Sequence, residues 1–167
     1  MSAAGPSRGR PRERGEADAR RAPSGDRAAR FTFPIRVYYE DTDAAGVVYY
    51  ANYLRFMERA RTEWLEFLGF PLAAFEQEHA VAFVVHRAEI DFLLPARLND
   101  RLAVSVEALD RGASRLVVAQ SVLREAVTLA RARITLACLD RVRWRPARMP
   151  AALARTLPAR PPRHPHR

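Results

Sequence analysis

DTDAAGVVYYANYLRFMERARTEWLEFLG, residues 41–69, is the stretch that decides the fold of this 167-residue chain. In its second half, apolar residues recur every three or four positions, which predicts an amphipathic helix of about four turns. Asn52 is a candidate N-cap, with a start one or two residues earlier as the alternative, and Gly69 followed by Pro71 predicts the end of the helix. The expected buried stripe is Tyr53, Phe56, Met57, Ala60, Trp64, Phe67 and Leu68, opposite Arg55, Glu58, Arg59, Thr62, Glu63 and Glu66.

Strand patterns flank this helix on both sides. Before it, FTFPIRVYYE alternates apolar and polar residues through Phe33, Ile35, Val37 and Tyr39, as a half-buried strand does. After a short helical connection at residues 71–78, no other long helical pattern follows. Four strands are predicted over residues 81–96, 101–110, 114–125 and 128–140, with turns at residues 99–100 and 111–112.

An antiparallel sheet of this kind can bury one face only against another apolar surface, and the striped helix is the candidate that the sequence offers. The predicted fold is therefore α+β, a curved five-stranded antiparallel sheet around one long central helix. Strands of ten or more residues leave long edges, which proteins commonly cover by joining sheets between subunits. We expect a homodimer or homotetramer.

The positive charge of the chain is concentrated at its ends. Residues 1–30 carry eight Arg and four acids, residues 140–167 carry eight Arg and one acid, and residues 31–139 carry twelve Arg and fourteen acids. The predicted organisation is a disordered Arg-rich N-terminal tail at 1–30, one domain at 31–140, and a Pro/Arg-rich C-terminal tail at 141–167, in which a short helix near 150–157 is a candidate. Every basic residue is Arg and none is Lys, which a GC-rich genome explains without a nucleic-acid partner.

Several function classes are disfavoured by composition. A single cysteine, Cys138, allows no intramolecular disulfide and fits a reducing compartment, and it is expected to pack in the core. The sequence contains no apolar run near 18 residues and no secretory signal pattern, so no transmembrane segment is predicted and a cytoplasmic location is expected. The four histidines form no recognisable metal-binding pattern.

VYYEDTDAAGVVYYANYLRFMERARTEWL, residues 37–65, followed by VAFVVHRAEIDFLLPARLND, residues 81–100, resembles the hotdog-fold acyl-CoA thioesterases. Within the 4-hydroxybenzoyl-CoA thioesterase family, the pattern is most similar to the Tol-Pal-associated, YbgC-type branch. The resemblance covers roughly residues 33–150. It implies a central helix wrapped by the strands, an active site at a dimer interface, and hydrolysis without a metal or prosthetic group.

Thioester hydrolysis needs a base or nucleophile beside the carbonyl carbon and donors for the oxygen that becomes negative. The resemblance assigns the first role to Asp43, as general base or as nucleophile through a mixed anhydride; Asp41 is the competing carboxylate. The free N–H groups near Tyr50 and Ala51, at the start of the helix, are expected to form the oxyanion hole. Gly46 would let the loop approach it.

The resemblance also places other residues at the site. Tyr39 matches a tyrosine that lines the site, with ordinary strand packing as the alternative. Tyr50 stands at a position where the YbgC-type pattern has His and where 4-hydroxybenzoyl-CoA thioesterases have Tyr. The resemblance therefore leaves the acyl group open between short aliphatic and aromatic. The predicted substrate-binding residues are Val47, Val48, Ala51, Glu58, His86 and Arg87. For Glu58, an ion pair with Arg61 is the alternative. Arg141, Arg143 and Arg145 are further candidates for binding the phosphates of CoA.

The leading hypothesis is an acyl-CoA thioesterase, with an acyl carrier protein as an alternative carrier and a Tol-Pal envelope partnership implied by resemblance. That partnership would allow a peripheral position at the inner membrane. Two alternatives remain: a non-hydrolytic acyl-CoA or acyl-carrier-binding scaffold at the cell envelope, and a protein whose basic tails bind nucleic acid or an anionic membrane.

Overall fold

The computed structural model describes residues 31–159, so the predicted N-terminal tail and residues 160–167 lie outside it. Five antiparallel strands form one sheet: β1 (Phe31–Arg36), β2 (Val81–Phe92), β3 (Arg101–Arg111), β4 (Arg115–Arg124) and β5 (Val127–Asp140). The helices are α1 (Tyr50–Phe67), α2 (Leu72–His79) and α3 (Ala151–Thr156). The predicted α+β hotdog fold is confirmed.

The order of strands in the sheet is β1-β3-β4-β5-β2, which leaves β1 and β2 as the two edges. The turn predicted at residues 99–100 is present, and Asn99 takes a left-handed backbone there, with φ of 68°. The strand predicted over 81–96 ends earlier, at Phe92, because the chain then leaves the sheet towards Pro95. Bulges interrupt the β2–β5, β3–β4 and β4–β5 pairings and help the sheet to curve.

Helix α1 packs across β1, β3 and β4 in the concavity of this sheet. Its predicted apolar stripe is buried except for Phe67, which is 43% exposed, and Phe56, Met57 and Trp64 are almost fully enclosed. Burying side chains of this size contributes roughly 1.5–3 kcal/mol each. The hydrophobic effect therefore fixes which face of the helix meets the sheet.

Two sequence expectations about the ends of the domain differ from the structure. Tyr39 was expected on the first strand, but β1 ends at Arg36, and Tyr39 lies in a 3-10 turn with 82% of its surface exposed. The chain beyond Asp140 was expected to be a tail, yet Met149, Leu153 and Leu157 are buried in the core. The core therefore continues to Leu157, because α3 supplies apolar side chains that local periodicity signalled only weakly.

None of the helices in the described range, residues 31–159, combines the length and the apolar character needed to cross a bilayer.

Candidate active site

The loop before α1 is a tight turn built around Asp43 and Gly46. The N–H of Gly46 donates to the carbonyl oxygen of Asp43 (2.9 Å), and the N–H of Asp43 donates to the carbonyl oxygen of Val47 (3.0 Å). Gly46 has φ of 71°, a left-handed conformation that glycine adopts without a steric penalty. The Oδ1 atom of Asp43 accepts from the N–H of Ala45 (2.8 Å). The turn therefore holds the Asp43 carboxylate at the surface.

The second acid of the motif, Asp41, lies in a different environment. Its side chain is buried, and its Oδ2 accepts a hydrogen bond from the N–H of Tyr38 (2.9 Å). Its carbonyl oxygen accepts from the N–H of Tyr49 and from Nδ2 of Asn52, both at 2.9 Å. Asp41 thus ties the 3-10 turn to the start of α1, whereas Asp43 is exposed and keeps Oδ2 free of hydrogen bonds within residues 31–159.

Helix α1 begins at Tyr50, with Tyr49 as its N-cap and without a side-chain cap. Asn52 is therefore not the N-cap: it lies inside the first turn, where its side chain is used to hold Asp41. The first N–H groups of an α-helix have no acceptor within the helix, and their dipoles point towards its N-terminal end. The N–H groups of Tyr50 and Ala51 are in this position and can donate to a developing negative charge.

Two adjacent tyrosines lie at this helix end. The ring centroids of Tyr49 and Tyr50 are 4.7 Å apart, and both side chains are exposed. A side-chain hydrogen bond with Tyr50 raises the pKa of Tyr49 above its usual value, and the negative charge of Asp43 raises it further. The N–H of Tyr49 donates to the carbonyl oxygen of Asp41 (2.9 Å), so the loop that carries Asp43 is held against the start of the helix.

An apolar cavity of about 260 Å³ opens beside the start of the helix. Tyr50 and Phe92 pack edge to face across it, with ring centroids 6.3 Å apart, and Tyr53 packs on Phe92 in the same manner at 5.4 Å. The remaining wall is formed by the apolar chain that follows β2. The lining residues are Val48, Tyr50, Tyr53, Phe92, Leu93, Leu94 and Pro95.

Val48 connects the loop to this wall. Its N–H donates to the carbonyl oxygen of Ala96 (2.9 Å), and its side chain is buried. Val47 forms an isolated bridge with Arg97, so it also contacts the segment after β2. Of the predicted substrate-binding residues, Val48 lines the cavity. Val47 and Ala51 are partly buried and are sequence neighbours of the lining residues Val48 and Tyr50.

Glu58 and Arg61 lie farther along α1 and pair with each other. Arg61 is buried; its guanidinium contacts the Glu58 carboxylate and donates from Nη1 to Oε1 of Gln120 (2.6 Å). Gln120 in turn donates from Nε2 to the carbonyl oxygen of Met57 (3.0 Å). Burial lowers the pKa of Arg61, while Glu58 opposes that shift. This network fastens α1 to β4, which is a structural use of the pair.

The structure does not bring the other predicted residues to the cavity within one chain. His86 and Arg87 are exposed at the bulge in β2, and Arg87 pairs with Glu89 (2.8 Å). They precede Phe92 by five or six residues, which is roughly 15–20 Å along a strand. Tyr39 is exposed in the turn that precedes the loop. Within residues 31–159, no cluster of three or more His, Cys, Asp or Glu side chains is arranged to hold a metal ion.

Sequence reasoning missed three contributors to the site: Tyr49, Tyr53 as a cavity wall, and Phe92 with the apolar residues after it. Tyr53 was read only as core, and Phe92 only as a strand residue. The run FLLP, residues 92–95, is apolar at consecutive positions, which exceeds what an alternating strand needs. That excess was the available signal, but only the fold shows that the run lies opposite Tyr50.

Comparison with known proteins agrees with this geometry. A family model described as the thioesterase-like superfamily matches residues 37–157. An acyl-CoA thioesterase YbgC from Haemophilus influenzae is 42% identical over 120 residues, covering 72% of this chain and 88% of that protein. A 1,4-dihydroxy-2-naphthoyl-CoA hydrolase from Nostoc punctiforme is 36% identical over 110 residues, covering 66% of this chain and 74% of that protein.

Solved structures show the same architecture. A probable thioesterase from Bartonella henselae superposes with a TM-score of 0.68 at 34% identity, covering 73% of this chain and all of that one. A 1,4-dihydroxy-2-naphthoyl-CoA thioesterase from Synechocystis superposes with a TM-score of 0.71 at 29% identity, covering 76% of this chain and 94% of that one. The curated relatives are thus named for acyl-CoA in general and for the aromatic 1,4-dihydroxy-2-naphthoyl-CoA.

Proposed function

This chain belongs to the thioesterase-like superfamily and is an acyl-CoA thioesterase with the hotdog fold, and from that premise we propose that Asp43 carries the hydrolytic step. The observation that supports this most directly is the meeting of three features in one place. The loop that carries the exposed Asp43 carboxylate is hydrogen-bonded to the start of α1 through the N–H of Tyr49, and Tyr50, the first residue of α1, lines the apolar cavity.

In the proposed reaction, the thioester carbonyl carbon lies beside Asp43. The carboxylate either removes a proton from the attacking water or attacks the carbon itself. In the second route, the bond from carbon to CoA sulfur breaks, the CoA thiolate leaves, and water then hydrolyses the mixed anhydride to the free acid. Both routes place a negative charge on the former carbonyl oxygen during attack.

The N–H groups of Tyr50 and Ala51 are proposed to stabilise that charge. They have no acceptor within the helix, and the helix dipole adds to their attraction for an anion. Gly46 contributes by allowing the turn that keeps Asp43 close to this helix end. The acyl group, short-chain or aromatic, is proposed to enter the cavity beside Val48, Tyr50 and Phe92.

Thiol release from a panel of short-chain and aromatic acyl-CoAs tests this assignment. Asp43→Asn should lower kcat by about a hundredfold or more, because water attacks a thioester slowly when no base or nucleophile assists it. Asp41→Asn is the matched control, since Asp41 is buried and holds the loop; it should lower stability while its folded form keeps a kcat near wild type. Equal kcat values for Asp43→Asn and wild type would reject the role of Asp43.

A single turnover in ¹⁸O-labelled water separates the two routes. Water that opens the anhydride at the carboxyl carbon of Asp43 places one label in the Asp43 carboxylate, so label in this residue identifies the anhydride route, whereas opening at the acyl carbon labels the product acid. Direct attack by water labels the product acid alone. Mass spectrometry of the peptide that contains residue 43 reads out the difference.

We also propose that the chain works as a homodimer or a homotetramer of such dimers, joined along β2. The outer edge of β2 has no strand partner in the described sheet, and Val85, Phe92, Leu93 and Leu94 are each about half exposed, at 47–48%. A long apolar edge is commonly covered by another copy. Because Phe92, Leu93 and Leu94 also line the cavity, such a dimer would place the cavity at the subunit interface.

The carrier and the cellular partners remain predictions. An acyl carrier protein could present the same thioester as CoA, and comparison of kcat/KM for the two carriers of one acyl group tests that choice. A Tol-Pal partnership and a position at the inner membrane rest on resemblance to the YbgC-type branch. Co-purification with envelope components from the native cell would support them, and recovery of the chain without them would count against them.

A further inference from the structure

The turn that follows β5 is a built, solvent-facing structure outside the thioesterase site. The N–H groups of Val142 and Arg143 both donate to Oδ1 of Asp140, at 2.9 and 2.7 Å. The N–H of Trp144 donates to the carbonyl oxygen of Asp140 (2.9 Å), and the N–H of Asp140 donates to the carbonyl oxygen of Arg145 (2.9 Å). These bonds define the conformation of residues 141–145, here called the RVRWR turn.

The RVRWR turn exposes two large apolar side chains. Val142 is 84% exposed, the highest value among the exposed large hydrophobic residues of the described chain, and Trp144 is 64% exposed. Trp144 has φ of 50°, a left-handed backbone that is rare for a bulky residue. The turn therefore holds an indole in solvent at a position where a glycine or asparagine would relieve strain. Packing within the folded chain does not explain a tryptophan at this exposed, left-handed position.

Arginines alternate with these apolar residues. Arg141, Arg143 and Arg145 are exposed, and none of them forms a salt bridge within residues 31–159. Asp140 is the acid within the turn itself. Hydrogen bonds from the N–H groups of Arg143 and Val142 lower its pKa, so this carboxylate remains ionised and committed to the backbone of the turn. The guanidinium groups are left available for an external anion.

The position of the turn argues against a role at the cavity of the same chain. Asp140 pairs with Val81, whereas Ala130 pairs with Phe92, which lines the cavity. Ten residues of β5 separate the two points, which is roughly 33 Å along a strand. Arg141, Arg143 and Arg145 therefore do not reach CoA phosphates at their own chain's cavity.

We propose that the RVRWR turn is a contact site for an anionic lipid membrane. Tryptophan is favoured at the boundary between headgroups and acyl chains, where its ring is buried and its N–H remains hydrated. Arginines on either side bind lipid phosphates, and an aliphatic side chain between them gains from entering the interface. A nucleic-acid surface would use the arginines in the same way but offers no comparable gain to Val142, the most exposed apolar residue of the turn.

The test is flotation of the full-length protein with vesicles of phosphatidylcholine alone or of phosphatidylcholine and phosphatidylglycerol in equal parts. Val142→Ser with Trp144→Ser keeps the net charge, so any binding by the basic ends of the chain is retained in this variant. We expect wild type to bind the anionic vesicles, less tightly as salt rises, and the double variant to bind about tenfold more weakly. Val127→Ser, at a 47% exposed position at the start of β5, should bind like wild type.

Fluorescence locates the contact independently. The chain has two tryptophans, and Trp64 is buried at 1% exposure, so a blue shift of emission on adding anionic vesicles reports Trp144. Trp144→Phe should retain most binding and lose the shift. Hydrolysis of a soluble acyl-CoA in the absence of vesicles should be equal in wild type and the serine double variant.

Equal vesicle binding by wild type and the serine double variant would overturn the proposal, as would equal binding to neutral and anionic vesicles. Tighter binding of the turn to a single-stranded RNA than to vesicles would assign it to nucleic acid instead. A raised KM for acyl-CoA in the double variant would place the turn at a partner subunit's site, and a changed oligomeric mass would place it in a subunit interface; either result would also overturn the proposal. None of these outcomes depends on whether Asp43 acts in catalysis.

Discussion

The hydroxyl oxygen of Tyr53 accepts a hydrogen bond of 2.9 Å from the N–H of Ala96, joining the central helix to the chain segment that walls the cavity. Both residues are buried, at 3% and 0% exposure. Burial raises the pKa of Tyr53, while the N–H of Ala96 opposes the shift. Since the N–H of Val48 donates to the carbonyl oxygen of the same Ala96, this residue links the loop that carries Asp43, the helix and the cavity wall.

Tyr53→Phe should destabilise the protein by about 1–3 kcal/mol, because the buried N–H of Ala96 loses its acceptor. Chemical denaturation measures the effect. Tyr38→Phe is the control: Tyr38 is 58% exposed, so removal of its hydroxyl should change stability by much less. Equal stabilities for Tyr53→Phe and wild type would show that the Ala96 N–H finds another acceptor.

Replacement of the Tyr50 ring should affect hydrolysis less than replacement of Asp43. Tyr50 is 61% exposed, and the group assigned to the oxyanion is its backbone N–H, which Tyr50→Phe retains. We expect this variant to keep kcat within about tenfold of wild type, since the backbone N–H proposed to stabilise the oxyanion stays in place. A loss as large as that of Asp43→Asn would move a catalytic role to the phenol.

Substitutions of Arg61 and Gln120 should have strongly non-additive effects on the free energy of unfolding. Gln120→Leu removes the acceptor of the buried Arg61 Nη1 and the side-chain donor to the carbonyl oxygen of Met57, so it should cost about 2 kcal/mol or more. Arg61→Met with Gln120→Leu removes both polar groups and should be more stable than Gln120→Leu alone. A double-mutant cycle by urea denaturation measures the coupling; simple additivity would mean that the two side chains act independently.

Val85→Lys should shift the protein from dimer to monomer. Val85 is 48% exposed on the free edge of β2, and an introduced charge there opposes pairing with a second copy. Sedimentation equilibrium measures the mass, and Val127→Lys, at a 47% exposed site on β5, is the matched control. A monomeric wild type, or a Val85→Lys dimer as tight as wild type, would contradict assembly through β2.

Cys138 should resist alkylation in the folded protein. Burial raises the pKa of its thiol to about 11 from an ordinary value of 9.0. Because the thiol ionises at a lower pH in the unfolded chain than in the folded protein, ionisation favours unfolding. The stability that the neutral Cys138 thiol contributes is fully present below pH 9 and is lost as the pH rises from 9 towards 11. The stability of wild type should fall more steeply over this range than that of Cys138→Ala, measured by denaturation at each pH. Parallel pH profiles for the two proteins would contradict this.

The central helix and most of the sheet could be predicted because their signals are local. Phe56, Met57 and Trp64 repeat at helical spacing, and that spacing alone selects the face that is buried. Of the two helix starts that the sequence allowed, the earlier one is found: α1 begins at Tyr50, and the amide of the N-cap candidate Asn52 donates instead to the carbonyl oxygen of Asp41, eleven residues away in sequence.

By itself, the sequence determined the α+β class, the position of the loop with its two carboxylates, and the resemblance that pointed to thioester chemistry. Tertiary structure decided the environment of those groups: it buried Asp41, whose carboxylate accepts from the N–H of Tyr38, and left Asp43 exposed in the loop before the helix. It also brought Phe92 against Tyr50 and Tyr53. The physical reason is that helical and strand periodicities are local properties of the chain, whereas burial and the cavity depend on contacts between segments about forty residues apart, which no local pattern encodes.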